Sequence, residues 1–530
     1  MSGAQPSVGV SDRWLECADG VRLASRIWMP AGRGPWPVLL MRQPYGRRIA
    51  STVTYAHPHW YASQGYAVVV QDVRGRGESG GHFSGFAQEA ADGATTLAWL
   101  RSQSWCNGRI GTYGFSYQGL SQLLLSGEHL PDALAPAMAG LDERRHWASD
   151  GGCHWWALGV GWALQLAAQA AQRRGDLKGW QQIRTSLESG TFLRDGMALL
   201  RQHDPGGMGL AWLERDAGSS EGWRVHSPPE ALWRKPMLLI GGWHDPHLGG
   251  VLDLWQRAQT PMLRIGNWSH LNWQGGIDAL QLAFFDRVLR DRSGSGCDPA
   301  CLLQDLGSGH WLERSPSKGS GQCWGLRSNG LAAVDSREGV LCSHSSYGSS
   351  GSGGCVVVVH DPWRPLPGRG GHLGLDAGVV ERADLDQRTD VACFTTAALE
   401  QPLELLGQPV LSLAAACDQL GFDLCVALSV LEPSGRVRQI STGVARFLAE
   451  AASNLQQRRV ALQPLLLTLA AGERLRLAIG LAAWPQIAVN PGDGSQPQGA
   501  ATANHRVISV TLELSEAQLQ ITPMLPAEPA

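Results

Sequence analysis

The sequence predicts an α/β chain: a mostly parallel sheet covered by helices, interrupted by a helical insert and followed by an all-β unit. Short continuous apolar runs recur through the first half and are separated by helical patterns, as expected of strands buried on both faces. One connection, from about 140 to 236, is too long for an ordinary loop and is itself rich in helical pattern. After Arg292, Ser/Gly-rich linkers appear and the pattern changes to short alternating runs between turns.

The elements follow in order. From Gly20 to Met29 the residues Val21, Leu23, Ser25, Ile27 and Met29 fall on one side, with Arg22 and Arg26 on the other, as in a half-buried strand. Pro37 to Met41 is continuously apolar and ends in Arg42-Gln43-Pro44-Tyr45-Gly46. Tyr66 to Val70 ends in the glycine-rich stretch Gln71-Asp72-Val73-Arg74-Gly75-Arg76-Gly77-Glu78-Ser79-Gly80-Gly81. That loop has the look of a dinucleotide fingerprint. No amphipathic helix opens directly behind it, however, and no strand with a ribose-binding acid follows, so no cofactor is expected.

Glu89 to Leu100 reads as a helix, Arg109 to Phe115 as a short buried strand, and Leu120 to Leu125 as a buried helix. Further buried runs are Leu134 to Ala139, Pro236 to Gly242 and Pro261 to Gly266. In the long connection, His146 to Arg174 reads helical, as does most of the remainder to about Val225, which predicts a cap over the strand ends. Beyond Arg292, the runs from Cys355 to His360, Val391 to Thr396, Val410 to Ala414, Phe422 to Val430, Val444 to Phe447, Leu475 to Ile479 and Ile508 to Leu514 predict an antiparallel sandwich of the jelly-roll type. The expected domains are therefore a sheet domain in two parts (1–143 and 229–320), a helical cap (144–228) and a C-terminal jelly roll (321–530).

Composition narrows the function. The chain has 530 residues and a net charge of −3 with no long basic run, so nucleic acid is not an expected partner. No apolar run is long enough to span a bilayer, and Met1 to Asp12 lacks the pattern of a signal peptide, so a cytoplasmic location with no membrane partner is expected. The 11 cysteines are odd in number and unpaired in spacing, which fits free thiols better than a disulfide frame. Cys297 and Cys301 lie close in sequence without companion ligands, so no metal is expected.

The chemistry is sought at the carboxyl ends of the strands, where such sheets collect their functional groups. Gly114-Phe115-Ser116-Tyr117-Gln118-Gly119 is a near relative of the G-x-S-x-G elbow, with its second glycine one place late. A serine on a sharp strand-to-helix turn has its hydroxyl lifted clear of the sheet, and it needs a base and an orienting acid to become a nucleophile. Asp245 follows the run at Leu238 and His270 follows the run at Met262, in the chain order Ser, acid, His. His244 and His247 compete as base and Asp142 as acid. The backbone N–H of Tyr117 is the expected first oxyanion donor. The loop after Leu39 offers the phenol of Tyr45 as the second, and on spacing alone a tyrosine packed at the rim fits equally well.

These stretches, together with Gly242-Trp243-His244-Asp245, Gly266-Asn267-Trp268-Ser269-His270, Arg388-Thr389-Asp390-Val391, Phe394-Thr395-Thr396, Trp484-Pro485 and Asn490-Pro491-Gly492, resemble the cocaine-esterase-like hydrolases. That group also includes the α-amino-acid ester hydrolases and the X-prolyl dipeptidyl aminopeptidases. The resemblance implies an α/β-hydrolase domain, an inserted helical cap and a jelly roll. It also implies a triad of Ser116, Asp245 and His270, with the Tyr45 hydroxyl and the Tyr117 N–H as oxyanion hole. The expected activity is hydrolysis of small esters, or amides, through an acyl-enzyme, with no cofactor.

The sequence departs from the amino-ester hydrolases after the acid. Pro246-His247-Leu248-Gly249 carries no carboxylate to hold a substrate ammonium, and the cap acids Asp150, Asp176 and Glu188 are left as substitutes. Trp147, Trp155, Trp156 and Trp162 favour a neutral or aromatic acyl group. Dipeptidyl or α-amino-ester cleavage is the alternative within the class. A catalytically degenerate jelly-roll binding or scaffold protein is the alternative outside it. Nothing in the sequence fixes the oligomeric state, and a homodimer stays open.

Overall fold

The apolar runs become strands of one sheet whose order explains why they are continuous. The computed structural model describes residues 8–49, 57–272, 276–291, 299–343 and 354–525. Cys297, the linker from Ser293 to Gly296 and most of the linker from Ser343 to Gly354 lie outside the described residues.

An antiparallel pair, β1 (Gly9–Glu16) and β2 (Arg22–Met29), forms one edge. It is followed by β3 (Trp36–Gln43), α1 (Pro58–Ser63), β4 (Ala67–Asp72), α2 (Glu89–Arg101), β5 (Cys106–Phe115), α3 (Tyr117–Leu123) and β6 (Ala133–Ala137). The insert carries a small hairpin of β7 (Ser149–Asp150) and β8 (Cys153–His154). Then come α4 (Trp156–Arg173), α5 (Leu177–Ser189), α6 (Phe192–His203) and α7 (Met208–Glu214), and α8 (Glu230–Trp233) leads back to the sheet. The sheet is completed by β9 (Met237–His244), α9 (Leu248–Arg257), β10 (Pro261–Ser269), α10 (Ile277–Leu289), β11 (Cys301–Gln304) and β12 (Trp311–Leu312).

The strand order is β1-β2-β4-β3-β5-β6-β9-β10-β11-β12, and from β4 to β11 every neighbouring pair is parallel. Parallel strands need long crossovers that cover both faces. Leu39, Val68, Val69, Val70 and Leu239 accordingly lose all contact with solvent. All of these strands present their carboxyl ends to one side, and the insert leaves from that side.

Two readings of the pattern are corrected. β2 is not half-buried: Ala24 and Trp28 are as buried as Leu23 and Ile27, because β2 lies between β1 and β4 with both faces covered. The helix read from His146 begins only at Trp156. Before it come a π-type turn (Arg144–Ala148) and the β7–β8 hairpin. Apolar residues recur on every side of that stretch, which hides the break. From α4 onward the insert has a core of its own, including Val160, Leu164, Ile183, Phe192, Leu200 and Leu213.

The second sheet contains β13 (Cys323–Arg327), β14 (Gly339–Ser343), β15 (Cys355–His360), β16 (Val380–Glu381), β17 (Val391–Thr395), β18 (Leu403–Cys417), β19 (Gly421–Leu431), β20 (Val437–Leu448), β21 (Gln456–Ala461), β22 (Leu465–Leu469), β23 (Arg474–Gly480) and β24 (Ile508–Thr522). Its main path is β16-β20-β19-β23-β17-β14-β13-β24-β18-β21, with β15 on β24 and β22 on β18. Pairing is antiparallel, except between β14 and β17. The stretch after Leu303, whose contacts the sequence leaves unassigned, divides between the sheets: β11 and β12 extend the first, and β13 and β14 enter the second. Among the described residues, no helix is long and apolar enough to cross a membrane.

Candidate active site

Ser116 occupies the turn between β5 and α3 at φ 58°, ψ −128°, a conformation that costs a non-glycine residue about 1–3 kcal/mol. Close packing holds it there. A Cβ on Gly114 would lie 2.4 Å from the Gln118 Cβ, and one on Gly119 would lie 2.7 Å from the Ala137 carbonyl oxygen. The helix thus presses on β6 at 119 rather than 118, which is why the second glycine comes late. Gln118 turns the other way, and its Oε1 accepts from the Phe115 N–H at 3.3 Å. The helix expected from Leu120 begins at Tyr117, so the Tyr117 N–H belongs to the first turn, whose donors have no acceptor within the helix.

Beneath the turn, the Tyr117 hydroxyl lies 2.9 Å from Glu89 Oε1 and 3.0 Å from the Gly85 carbonyl. Arg42 neutralises that buried carboxylate with a 2.5 Å contact to Oε2. Phe86 stacks on the Tyr117 ring at 4.5 Å. Aromatic and charged groups thus fill the space beneath the elbow.

The other expected groups stand at the carboxyl ends of nearby strands. Tyr45 follows β3, Asp245 follows β9 and His270 follows β10. Asp245 is fully buried, and its Oδ1 lies 2.8 Å from His270 Nδ1. The His270 ring lies 5.4 Å from that of Phe115, the residue before the serine. Burial raises the pKa of the Tyr45 hydroxyl above the ordinary phenol value, with the Trp162 and Ser116 side chains pulling the other way, so it remains a donor at neutral pH. Imidazole and carboxylate are therefore paired at the ends of β10 and β9, with the elbow and the Tyr45 loop at the ends of β5 and β3.

Asp142 and His247 are engaged by other partners, and His244 is buried. Asp142 Oδ1 accepts from the N–H groups of Arg144 and Arg145 at 2.9 and 3.0 Å, capping a turn. His244 is buried, and that burial lowers its pKa to about 4. His247 is lowered to about 3 for the same reason. Its Nδ1 lies 2.5 Å from the His146 carbonyl and its ring 4.6 Å from that of His270. Asp245, His247 and His270 offer metal-type ligand atoms within 4.8 Å of one another, but the Nδ1 atoms of both histidines are already hydrogen-bonded. Among the cap acids, Asp150 pairs with His372 at 3.0 Å, Asp176 caps α5, and Glu188 pairs with Arg184 at 2.6 Å.

The tryptophans divide. Trp156 lies in the cap's own core and donates to the Leu193 carbonyl. Trp155 and Trp147 stand edge-on to His247, at 5.4 and 4.7 Å. Trp162 stacks with Trp212 at 5.6 Å and reaches Tyr45. A cavity of about 230 Å³ opens between sheet domain and cap, with Phe86, Trp212, Glu143 and Arg215 in its walls.

Two supporting residues, Arg76 and Gln463, escape sequence reasoning, and so does the role of a third, Trp162. Arg76 is 3% exposed and donates to the carbonyls of Pro44 at 3.0 Å and Leu166 at 3.1 Å, tying the Tyr45 loop to α4. Trp162 Nε1 donates to the Tyr45 hydroxyl oxygen at 3.1 Å. Gln463, in the connection between β21 and β22, donates through Nε2 to the Asp245 carbonyl at 2.6 Å. Arg76 carried a signal, a cation set between two glycines. Gln463 carried none.

Residues 19–272 match the family model of the X-Pro dipeptidyl-peptidase (S15 family), and residues 331–513 match the X-Pro dipeptidyl-peptidase C-terminal non-catalytic domain. The chain belongs to the cocaine-esterase-like, X-Pro dipeptidyl-peptidase-like α/β-hydrolases. A cocaine esterase from Rhodococcus sp. (strain MB1 Bresler) is 28% identical to this hydrolase over 513 residues, covering 88% of this chain and 86% of that one. A putative serine esterase from Mycobacterium tuberculosis (strain CDC 1551 / Oshkosh) is 23% identical over 521 residues, covering 83% and 80%. Among solved structures, an α-amino acid ester hydrolase superposes with a TM-score of 0.72 at 19% identity, covering 98% of this chain and 97% of that one, a likeness of fold. The family read from the motifs is thus the family found, with an α/β-hydrolase domain followed by a mostly β domain.

Proposed function

We propose that this hydrolase cleaves small acyl esters through an acyl-enzyme formed on Ser116. The observation that carries the reading is the 2.8 Å pair of His270 Nδ1 and Asp245 Oδ1, with the imidazole ring 5.4 Å from that of Phe115, the residue before the elbow serine. A carboxylate at Nδ1 keeps the proton on that nitrogen and leaves the Nε2 lone pair for the serine.

Ser116 Oγ attacks the ester carbonyl as its proton passes to His270 Nε2. The carbonyl oxygen becomes an oxyanion that takes hydrogen bonds from the Tyr45 O–H and the Tyr117 N–H. Collapse breaks the bond to the leaving alkoxide, which receives the proton from Nε2. Water then repeats the sequence on the acyl-serine and releases the acid. A neutral acyl group fits better than an α-amino acyl group, because Asp150, Asp176 and Glu188 are committed to other partners and 246–249 carry no acid.

A fluorophosphonate probe tests the nucleophile: the wild type should be labelled and a Ser116→Ala variant should not. A properly folded wild type that resists labelling would instead support a non-catalytic scaffold. Neutral aryl esters set against X-Pro-anilides test the acyl preference, and faster turnover of the anilides would reverse it.

A further inference from the structure

We infer that Trp162, on the cap helix α4, is a positioning residue of the oxyanion hole, acting through its indole N–H on the Tyr45 hydroxyl. The inference rests on the reading of Tyr45 as an oxyanion donor and adds to it the element that aims the donor.

Proton counting carries the argument. An indole nitrogen only donates, whereas a phenol has one proton to give and lone pairs to receive. In the 3.1 Å contact between Trp162 Nε1 and Tyr45 Oη, tryptophan is therefore the donor and tyrosine the acceptor. One face of the phenol oxygen is filled by an incoming N–H, and the phenol's own proton must point elsewhere. The Ser116 side chain, on the elbow after β5, also acts on that hydroxyl and lowers its pKa. The O–H is thus steered toward the serine, where an oxyanion would form. Without the indole, the phenol rotor gains another orientation, and its oxygen loses a donor that offsets negative charge drawn onto it.

A second contact fixes the same pair of elements. Arg76 bridges the Pro44 carbonyl, next to Tyr45, and the Leu166 carbonyl, one turn along α4 from Trp162. The guanidinium sets the spacing between loop and helix, and the indole uses that spacing to reach the phenol. Trp162 is held in turn by its stack on Trp212 from α7. The cap therefore contributes a hydrogen-bond donor to the catalytic frame as well as a roof.

Trp162→Phe tests this, since it keeps a ring and removes the N–H. With a neutral aryl ester, kcat should fall about tenfold while KM changes little. In a Tyr45→Phe background the same substitution should have almost no further effect, because the hydroxyl it acts on is gone. Equal losses in both backgrounds would show that Trp162 only packs the cap and would overturn the inference. If Trp162→Phe unfolds, the isostere benzothienylalanine at 162, with sulfur in place of the N–H, makes the same comparison. Failure of the underlying reading would look different: Tyr45→Phe alone would leave kcat unchanged.

Discussion

Two glycine-rich loops leave β4 and β5, the strands on either side of β3, and they use glycine for opposite ends. In the first, from 72 to 81, the glycines make room for a carboxylate turned inward. A Cβ on Gly77 would lie 2.2 Å from Asp72 Oδ2, and one on Gly75 would lie 2.1 Å from the Phe83 nitrogen. Asp72 is fully buried and accepts from the Arg47 N–H, from Arg47 Nη1 at 2.9 Å and from the Glu78 N–H at 3.0 Å. In the second, from 114 to 119, the glycines let helix and strand close beneath a hydroxyl held above them. The first loop satisfies its polar group internally, and the second holds the hydroxyl proposed as the nucleophile. Glycine density marks close approach; the bonding left open at the polar group marks chemistry.

The largest expected effect breaks the second loop. Ser116→Ala should lower ester turnover by about 10⁴-fold or more with thermal unfolding nearly unchanged. Ser116→Gly should be equally inactive but more stable, by about 1 kcal/mol in urea unfolding, because glycine accepts the positive φ without strain. The first loop should answer the other way. Asp72→Ala leaves Arg47 buried without its inner partner and should cost about 3–5 kcal/mol of stability in urea unfolding, while molecules that remain folded keep their turnover number. Tyr45→Phe, which keeps the ring and removes one donor, should cost on the order of a hundredfold in kcat without lowering the unfolding midpoint.

The smallest effect lies at the rim of the first loop. Asp12 pairs with Arg26 and Arg47, which hold its carboxyl at about 2, below its ordinary 3.8. A carboxyl depressed on folding contributes stability that is complete above the unfolded value and lost as pH falls through the folded one. Asp12→Asn should therefore lower stability by no more than about 1 kcal/mol at neutral pH, with the gap between variant and wild type closing between pH 4 and 2. No gap at any pH would mean that Arg47 draws its order from Asp72 and Glu78 alone.

What the sequence made legible divides along similar lines. Strands buried on both faces declare themselves as continuous apolar runs, so β3, β4, β6, β9 and β10 were readable, and with them the strand ends that carry Tyr45, Asp245 and His270. The elbow was readable because glycine at 114 and 119 has a steric cause. The start of α4 was not, since tryptophan and alanine fill 146–163 without a period that separates hairpin from helix. Arg76 and Gln463 were hidden for another reason. Their acceptors are peptide carbonyls, at Pro44, Leu166 and Asp245, and every residue has one of those. Trp162 was visible as an aromatic residue of the cap, but its ring suggested a substrate surface and its N–H went unweighed.

The bond from Gln463 to the Asp245 peptide oxygen reaches from one folding unit into the other. Severing the chain between the two sheets would leave every proposed reacting atom in the N-terminal piece, yet remove the brace on the loop that orients the imidazole. The C-terminal unit is therefore better regarded as a jig than as a passenger: it performs no proposed step and keeps the tool aligned while others perform theirs.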